Sequence, residues 1–85
     1  MPTDEIKKLL GTKNLIIGTE RTIKLLKKGE LKKVFIAKNA AEETKKDIEY
    51  YAELSGVEIE NLNETNEEIG ILCKKSFSIS VIGMK

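Results

Sequence analysis

Apolar residues recur along this chain with two different periods. In the stretch DEIKKLL, Ile6, Leu9 and Leu10 fall on one side of a 3.6-residue turn. That predicts a helix over residues 4–10, with Thr3 or Asp4 as its cap. Gly11 and Thr12 end it. Leu15, Ile16 and Ile17 form an unbroken apolar run, the mark of a short buried strand. Gly18 breaks that strand, and Thr19 is placed to cap the next helix, which runs to Lys28. This helix carries Ile23, Leu25 and Leu26 among Lys24, Lys27 and Lys28, and Gly29 supplies a left-handed stop. The run VFIA predicts a second buried strand over residues 34–37. Asn39 and Ala40 then lead into a long helix over residues 41–54, closed by Gly56. A third strand is expected at residues 57–59, a fourth helix at 66–73 and a last strand at 78–83 (SISVIG).

Helix and strand therefore alternate from end to end, joined by short connections. Alternation of this kind predicts an α/β unit with helices on both faces of a small sheet. The runs VFIA and SVI are nearly continuous in apolar residues, as strands covered on both faces should be. Eighty-five residues can build one core, so a single domain is expected over 1–85.

Composition changes this picture in three ways. Aromatics are scarce and Trp is absent, so the core is aliphatic. Lys and Glu dominate while Gln and His are missing, a balance found on proteins from hot habitats. One cysteine, Cys73, cannot close an internal disulfide, which fits a cytoplasmic protein. No apolar run reaches the roughly 18–20 residues that span a bilayer. The N-terminus lacks the apolar stretch and cleavage site of a signal peptide, so no membrane association is expected.

The charges are segregated. Residues 1–38 carry ten Lys or Arg against four acids, a net of +6. Residues 39–70 carry two Lys against ten acids, a net of −8, and residues 71–85 carry three Lys and no acid. If the basic front and end meet in space, they form a face suited to phosphate backbones. The acidic helix is then expected on the opposite side. The competing reading is that the charges mix once the chain folds.

Catalysis finds little support. No His is available as an acid or base near neutral pH. Cys73 lacks a His to activate it. The lysines after it could lower its pKa, although a small core residue is the simpler reading. The acids of the middle segment sit at solvent-type positions. No zinc cluster, calcium loop or phosphate loop is present, so neither a metal nor a cofactor is expected.

A binding role fits residues 16–24 (IIGTERTIK) better. Gly18 turns the chain tightly at the strand end, and Glu20, Arg21 and Lys24 occupy the first turn and a half of the helix. A helix start offers free N–H groups and the positive end of a dipole. Set in a groove, it would bring one carboxylate and two cations to base edges. A plain capped helix has the same pattern.

The segment GTERTIKLLKKGELKKVFIAKNA resembles the signature of the kink-turn RNA-binding ribosomal protein family, the large-subunit proteins seven-Ae and thirty-e and their small relatives. The matching features are Gly18-Thr19, Thr22-Ile23-Lys24, Lys28-Gly29, Lys33-Val34 and Ala37-Lys38-Asn39. Near the end, NETNEEIGILCKKSFSISVIGM is similar to the family's closing segment through Ile69-Gly70, Cys73-Lys74-Lys75 and the strand from Phe77. The likeness covers nearly the whole chain, and the thirty-e branch resembles it most.

This resemblance implies a three-layer α-β-α sandwich around a small four-stranded mixed sheet. It implies RNA binding without catalysis, at a kink-turn: a helix bent at a bulge flanked by sheared G·A pairs, in ribosomal RNA or another structured RNA. Such a protein would be a cytoplasmic ribosomal or ribonucleoprotein component, with other ribonucleoprotein proteins as partners and a monomer when free. The implied RNA-facing residues are Gly18, Thr19, Glu20, Arg21, Thr22, Lys24 and Lys27 at the second helix. They continue with Lys38 and Asn39, and with Lys74, Lys75, Ser76, Phe77 and Ser78 before the last strand, where the family's loop packs on the extruded nucleotide. Phe77 could instead open the last strand and pack in the core. Many members carry Asn-Glu where this chain has Glu20-Arg21. A carboxylate only accepts hydrogen bonds, whereas an Asn also donates. The alternative is therefore a member that has lost kink-turn binding and serves as a protein-interaction module.

Overall fold

The computed structural model describes residues 2–85, with side chains from Asp4 onward. Eight elements follow one another: α1 (Pro2–Leu9), β1 (Leu15–Ile17), α2 (Thr19–Lys27), β2 (Lys33–Ile36), α3 (Glu42–Ser55), β3 (Glu58–Asn61), α4 (Asn66–Leu72) and β4 (Val81–Met84). The expected order holds throughout. Asp4 lies inside the first turn of α1 rather than before it, and the expectation of a Thr3 cap falls outside the described side chains.

The sheet runs β1-β4-β2-β3. β4 is antiparallel to both β1 and β2, and β2 is parallel to β3, so the sheet is mixed. Although VFIA is apolar throughout, its side chains alternate between faces. Phe35 and Ala37 join Ile6, Ile69 and Ile82 under α1 and α4. Val34 and Ile36 join Leu26, Ile48, Ala52 and Val81 under α2 and α3. The result is the three-layer α-β-α sandwich.

The acidic helix does not take the expected side. α3 lies in the same layer as α2, where the Lys27 ammonium sits 5.0 Å from the Tyr51 ring centroid and Ser55 Oγ donates to the Leu26 carbonyl at 3.1 Å. Burial decides the layer: Ile48 and Ala52 need the sheet face that Leu26 also covers, and the other face is occupied by α1 and α4. The acids of α3 then point outward from that layer.

β4 starts at Val81 rather than at Ser78. The Ser80 carbonyl still accepts from Ala37 N (2.8 Å) in the register of the β2–β4 pair, but Ile79 N turns to the Asn66 carbonyl (3.0 Å), so the earlier expected residues leave the ladder. β3 starts at Glu58 because the Val57 amide still closes α3, donating to the Ala52 carbonyl at 2.9 Å.

Lys33 opens β2 as a buried cation. Its Nζ lies 3.1 Å from Glu5 of α1, 3.4 Å from Glu60 and 4.0 Å from Glu58 of β3. The hydrogen bond to Glu5 raises its pKa above 10.5, against the opposing effect of burial; the charge of Glu5, then Glu60 and Glu58, add to the rise. A raised lysine pKa stabilises the fold below the unfolded value, and that contribution is lost as pH rises through the folded one. Lys33→Met is expected to cost about 1–2 kcal/mol near neutrality, discounted because the carboxylates are partly solvated. Urea titrations of both proteins should show this gap closing above about pH 10.5. A gap independent of pH would assign the loss to packing.

Candidate nucleic-acid interface

β1 ends where Gly18 takes φ 119° and ψ 145°, a conformation open to glycine and strained for other residues. Gly18 N donates to the Val81 carbonyl at 3.2 Å, and its own carbonyl accepts from Thr22 N at 3.1 Å. α2 therefore begins at Thr19 with Gly18 as its cap residue, and no side chain caps it. This corrects the expected role of Thr19. One position inside the helix, its hydroxyl no longer reaches the free amides ahead. The N–H groups of Thr19, Glu20 and Arg21 have no carbonyl one turn earlier to accept them, so the positive end of α2 stays open.

α4 is closed by contrast. Thr65 Oγ1 accepts from Glu68 N (3.3 Å), and Glu68 Oε1 accepts from Thr65 N (3.0 Å). The Thr65 backbone N–H, then its hydroxyl, hold the Glu68 carboxyl below the usual range.

Two further segments lie at the same end of the sheet as the start of α2. In the loop after β2, Lys38 N donates to the Glu64 carbonyl at 2.8 Å and Asn39 pairs with Asn66. The loop after α4 turns through Lys74, a non-glycine residue at φ 58°. Lys74 N donates to the Ile71 carbonyl and Lys75 N to the Gly70 carbonyl, both at 2.9 Å, the bonding of a helix end that usually carries glycine. With Cys73, both lysines line a hollow alongside Leu10 and Ile17, the residue before Gly18. Lys74 and Lys75 of the basic end thus lie across a hollow from Ile17, the last residue of β1 before the start of α2.

Among the sequence-predicted residues, Glu20, Arg21, Lys24, Lys38, Asn39, Lys74, Lys75, Ser76, Phe77 and Ser78 are exposed. Gly18 and Thr19 are half-buried beside them. Arg21 and Lys24 share a second hollow with Ile16, Leu25 and Lys28. Of the adjacent candidates Lys27 and Lys28, Lys28 lies in this hollow, because residues 21, 24 and 28 follow one helix stripe. Lys27 points away, over Tyr51. The ion pairs of Lys33 with Glu5, Glu58 and Glu60 involve no charged side chain of α2.

Thr22 is fully buried, packed on Gly83 of β4, and its Oγ1 has no hydrogen-bond partner. Its side chain is not on the surface. Thr22→Val removes an unpaired buried hydroxyl at nearly constant shape and is expected to stabilise the fold by about 1 kcal/mol. Chemical denaturation measures this, and a loss of stability would mean that the hydroxyl has a partner.

Phe77 is 57% exposed and does not pack in the core. It shares a hollow with Glu67, Ile71 and Lys75, and Ile71 is itself 76% exposed. Cys73 is buried. Burial pushes its thiol up and Lys75 only partly opposes this, so the lowering expected from the neighbouring lysines is outweighed. Among the described residues no cluster of His, Cys, Asp or Glu could hold a metal ion, and no helix is long and apolar enough to cross a membrane.

Known proteins share both sequence and fold with this chain. Large ribosomal subunit protein eL30 of Sulfurisphaera tokodaii is 40% identical over 80 residues, covering 94% of this chain and 76% of that protein. The protein of the same name from Methanothermobacter thermautotrophicus is 40% identical over 77 residues, covering 91% and 79%. Among solved structures, a Giardia lamblia 15.5kD RNA binding protein superposes with a TM-score of 0.80 at 18% identity, covering 98% of this chain and 69% of that one. A Bacillus halodurans protein of unknown function gives 0.76 at 22% identity, covering 85% and 71%. The family model described as "Ribosomal protein L7Ae/L30e/S12e/Gadd45 family" matches residues 3–85, and the chain belongs to that family.

Proposed function

We propose that this chain is an RNA-binding ribosomal protein, not an enzyme, that recognises a kink-turn with the open start of α2. The single observation that carries this reading is the contrast between the two helix starts. α4 is sealed by its own side chains, whereas α2 presents unbonded amides on a helix that carries Arg21 and Lys24, with Lys74 and Lys75 across a hollow from Ile17. Helix N-termini suit anions. A-form RNA hides its major groove, but a kink with sheared G·A pairs widens it enough to admit a helix end. In this arrangement Lys24 donates to guanine O6, and Arg21 reads a guanine edge or a phosphate. Glu20 accepts from base amino groups. Lys38, Lys74 and Lys75 contact the backbone, and Phe77 with Ile71 forms an apolar platform for an extruded base. The names borne by its archaeal relatives support a place in the large ribosomal subunit.

The salt dependence of RNA binding tests this reading. Roughly three to five phosphate contacts give a slope of about −2 to −5 in log K against log salt. A slope near zero would favour the protein-interaction reading. That reading has its own support in Tyr50 and Leu54, large apolar side chains exposed on α3.

A further inference from the structure

The residue that ties the interface together is one that sequence patterns do not mark. Asn66, the first residue of α4, bonds in three directions. Its backbone N–H donates to Asn39 Oδ1 at 2.8 Å, and its Oδ1 accepts from Asn39 Nδ2 at 3.2 Å. Its carbonyl accepts from Ile79 N at 3.0 Å, and its Nδ2 reaches Ser80 Oγ at 3.5 Å. Asn39 lies in the loop after β2, and Ile79 and Ser80 lie between the Lys74–Ser78 loop and β4. The amide of Asn39 is thus turned inward, with both its oxygen and its nitrogen engaged.

We infer that Asn66 and Asn39 form a joint that sets the spacing between the Lys38 loop and the Lys74–Ser78 loop. Asn39 then acts as a positioning residue through Asn66 rather than by reading RNA. The inference rests on the RNA-binding reading above and adds how its parts are aligned. RNA must engage α2 and both loops at once, so a fixed spacing lowers the ordering cost of binding. A paired amide suits this task. It constrains direction as well as distance, and it lies at the surface, where its loss leaves no buried polar group uncompensated.

Three variants test the joint: Asn66→Ala, Asn39→Ala and the double variant, each titrated with a kink-turn duplex at fixed salt. Asn39→Ala, which removes both bonds of the pair, is expected to weaken binding about tenfold, and Asn66→Ala, which keeps its backbone N–H and carbonyl, by less. The double variant should bind close to Asn39→Ala, because that change already removes the pair. Thermal unfolding should stay close to the parent. Parent-like binding by Asn39→Ala would overturn the inference, as would additive losses, which would make Asn39 a direct reader. Amide hydrogen exchange on the free protein gives a readout independent of RNA. Asn39→Ala should speed exchange at the Asn66 amide, whose acceptor it removes, and at Lys38, while leaving the Phe35 amide unchanged. Unaltered exchange at Asn66 and Lys38 would overturn the joint itself. A parent that fails to bind the duplex would instead overturn the functional reading, and with it the claim that the joint serves RNA.

Discussion

Gly70→Ala is expected to be the most damaging small substitution in this protein, lowering stability by about 2 kcal/mol. Helix propensity alone predicts the opposite, since alanine is favoured over glycine by about 1 kcal/mol inside a helix. The obstacle is steric. A Cβ on Gly70 would overlap the Phe77 carbonyl oxygen and lie 3.2 Å from its carbon and 3.3 Å from Ser78 Cα. These are backbone atoms, and no side-chain rotation relieves the clash. Overpacking of this kind costs about 1–3 kcal/mol and at times more, which outweighs the propensity gain. For a domain of this size a 2 kcal/mol loss lowers Tm by on the order of 10 °C. Gly83→Ala supplies the comparison. Its Cβ would meet only Leu31 and Thr22 side-chain atoms at 3.0 and 3.1 Å, which can shift, so a smaller loss is expected. If Gly70→Ala melts with the parent, the Phe77–Ser78 segment does not rest on α4, and the loop part of the interface is misplaced.

Lys24→Ala is expected to cost the most in binding for the least in structure. Lys24 is exposed on α2, one turn in from the open helix start, and shares its hollow with Arg21 and Lys28. Removing a lysine that donates to a guanine edge should weaken kink-turn binding by about 1–3 kcal/mol. An exposed lysine contributes little to folding, so stability should stay within about 0.5 kcal/mol of the parent. Calorimetric titration beside thermal unfolding separates the two effects. Undiminished affinity would remove Lys24 from the interface.

How much of this was legible in the sequence depended on whether the deciding contacts were local. β1 lies at residues 15–17 as expected, because an apolar run between polar residues and a glycine has one reading. Gly29 takes its left-handed φ of 71° where the helix pattern stops. The Thr65 cap was also legible, since Thr65-x-x-Glu68 is a capping-box pattern that went unread. That only one of Lys27 and Lys28 shares a side with Lys24 was legible from helix spacing, and Lys28 is the one beside Arg21 and Lys24. Other features depend on partners distant in sequence. Asn39 meets Asn66 across 27 residues, and Lys33 meets Glu5 across 28. Neither pair follows a local period. The approach of Phe77 to Gly70 arises from a loop turn centred on a left-handed lysine, where glycine is the usual choice. Charge misled the placement of α3 because the segregation of charge along the chain does not decide which sheet face an element covers, whereas the burial of Ile48 and Ala52 does.

The account stands on recognition of a kink-turn by the open end of α2. The most direct test is a gel shift that compares a kink-turn duplex with the same duplex in which Watson–Crick pairs replace the sheared G·A pairs, at one salt concentration. The two RNAs carry the same backbone charge, so non-specific attraction to the lysines is matched. The account predicts clear preference for the kinked duplex and loss of that preference in Lys24→Ala. Equal affinity for the two duplexes would contradict it.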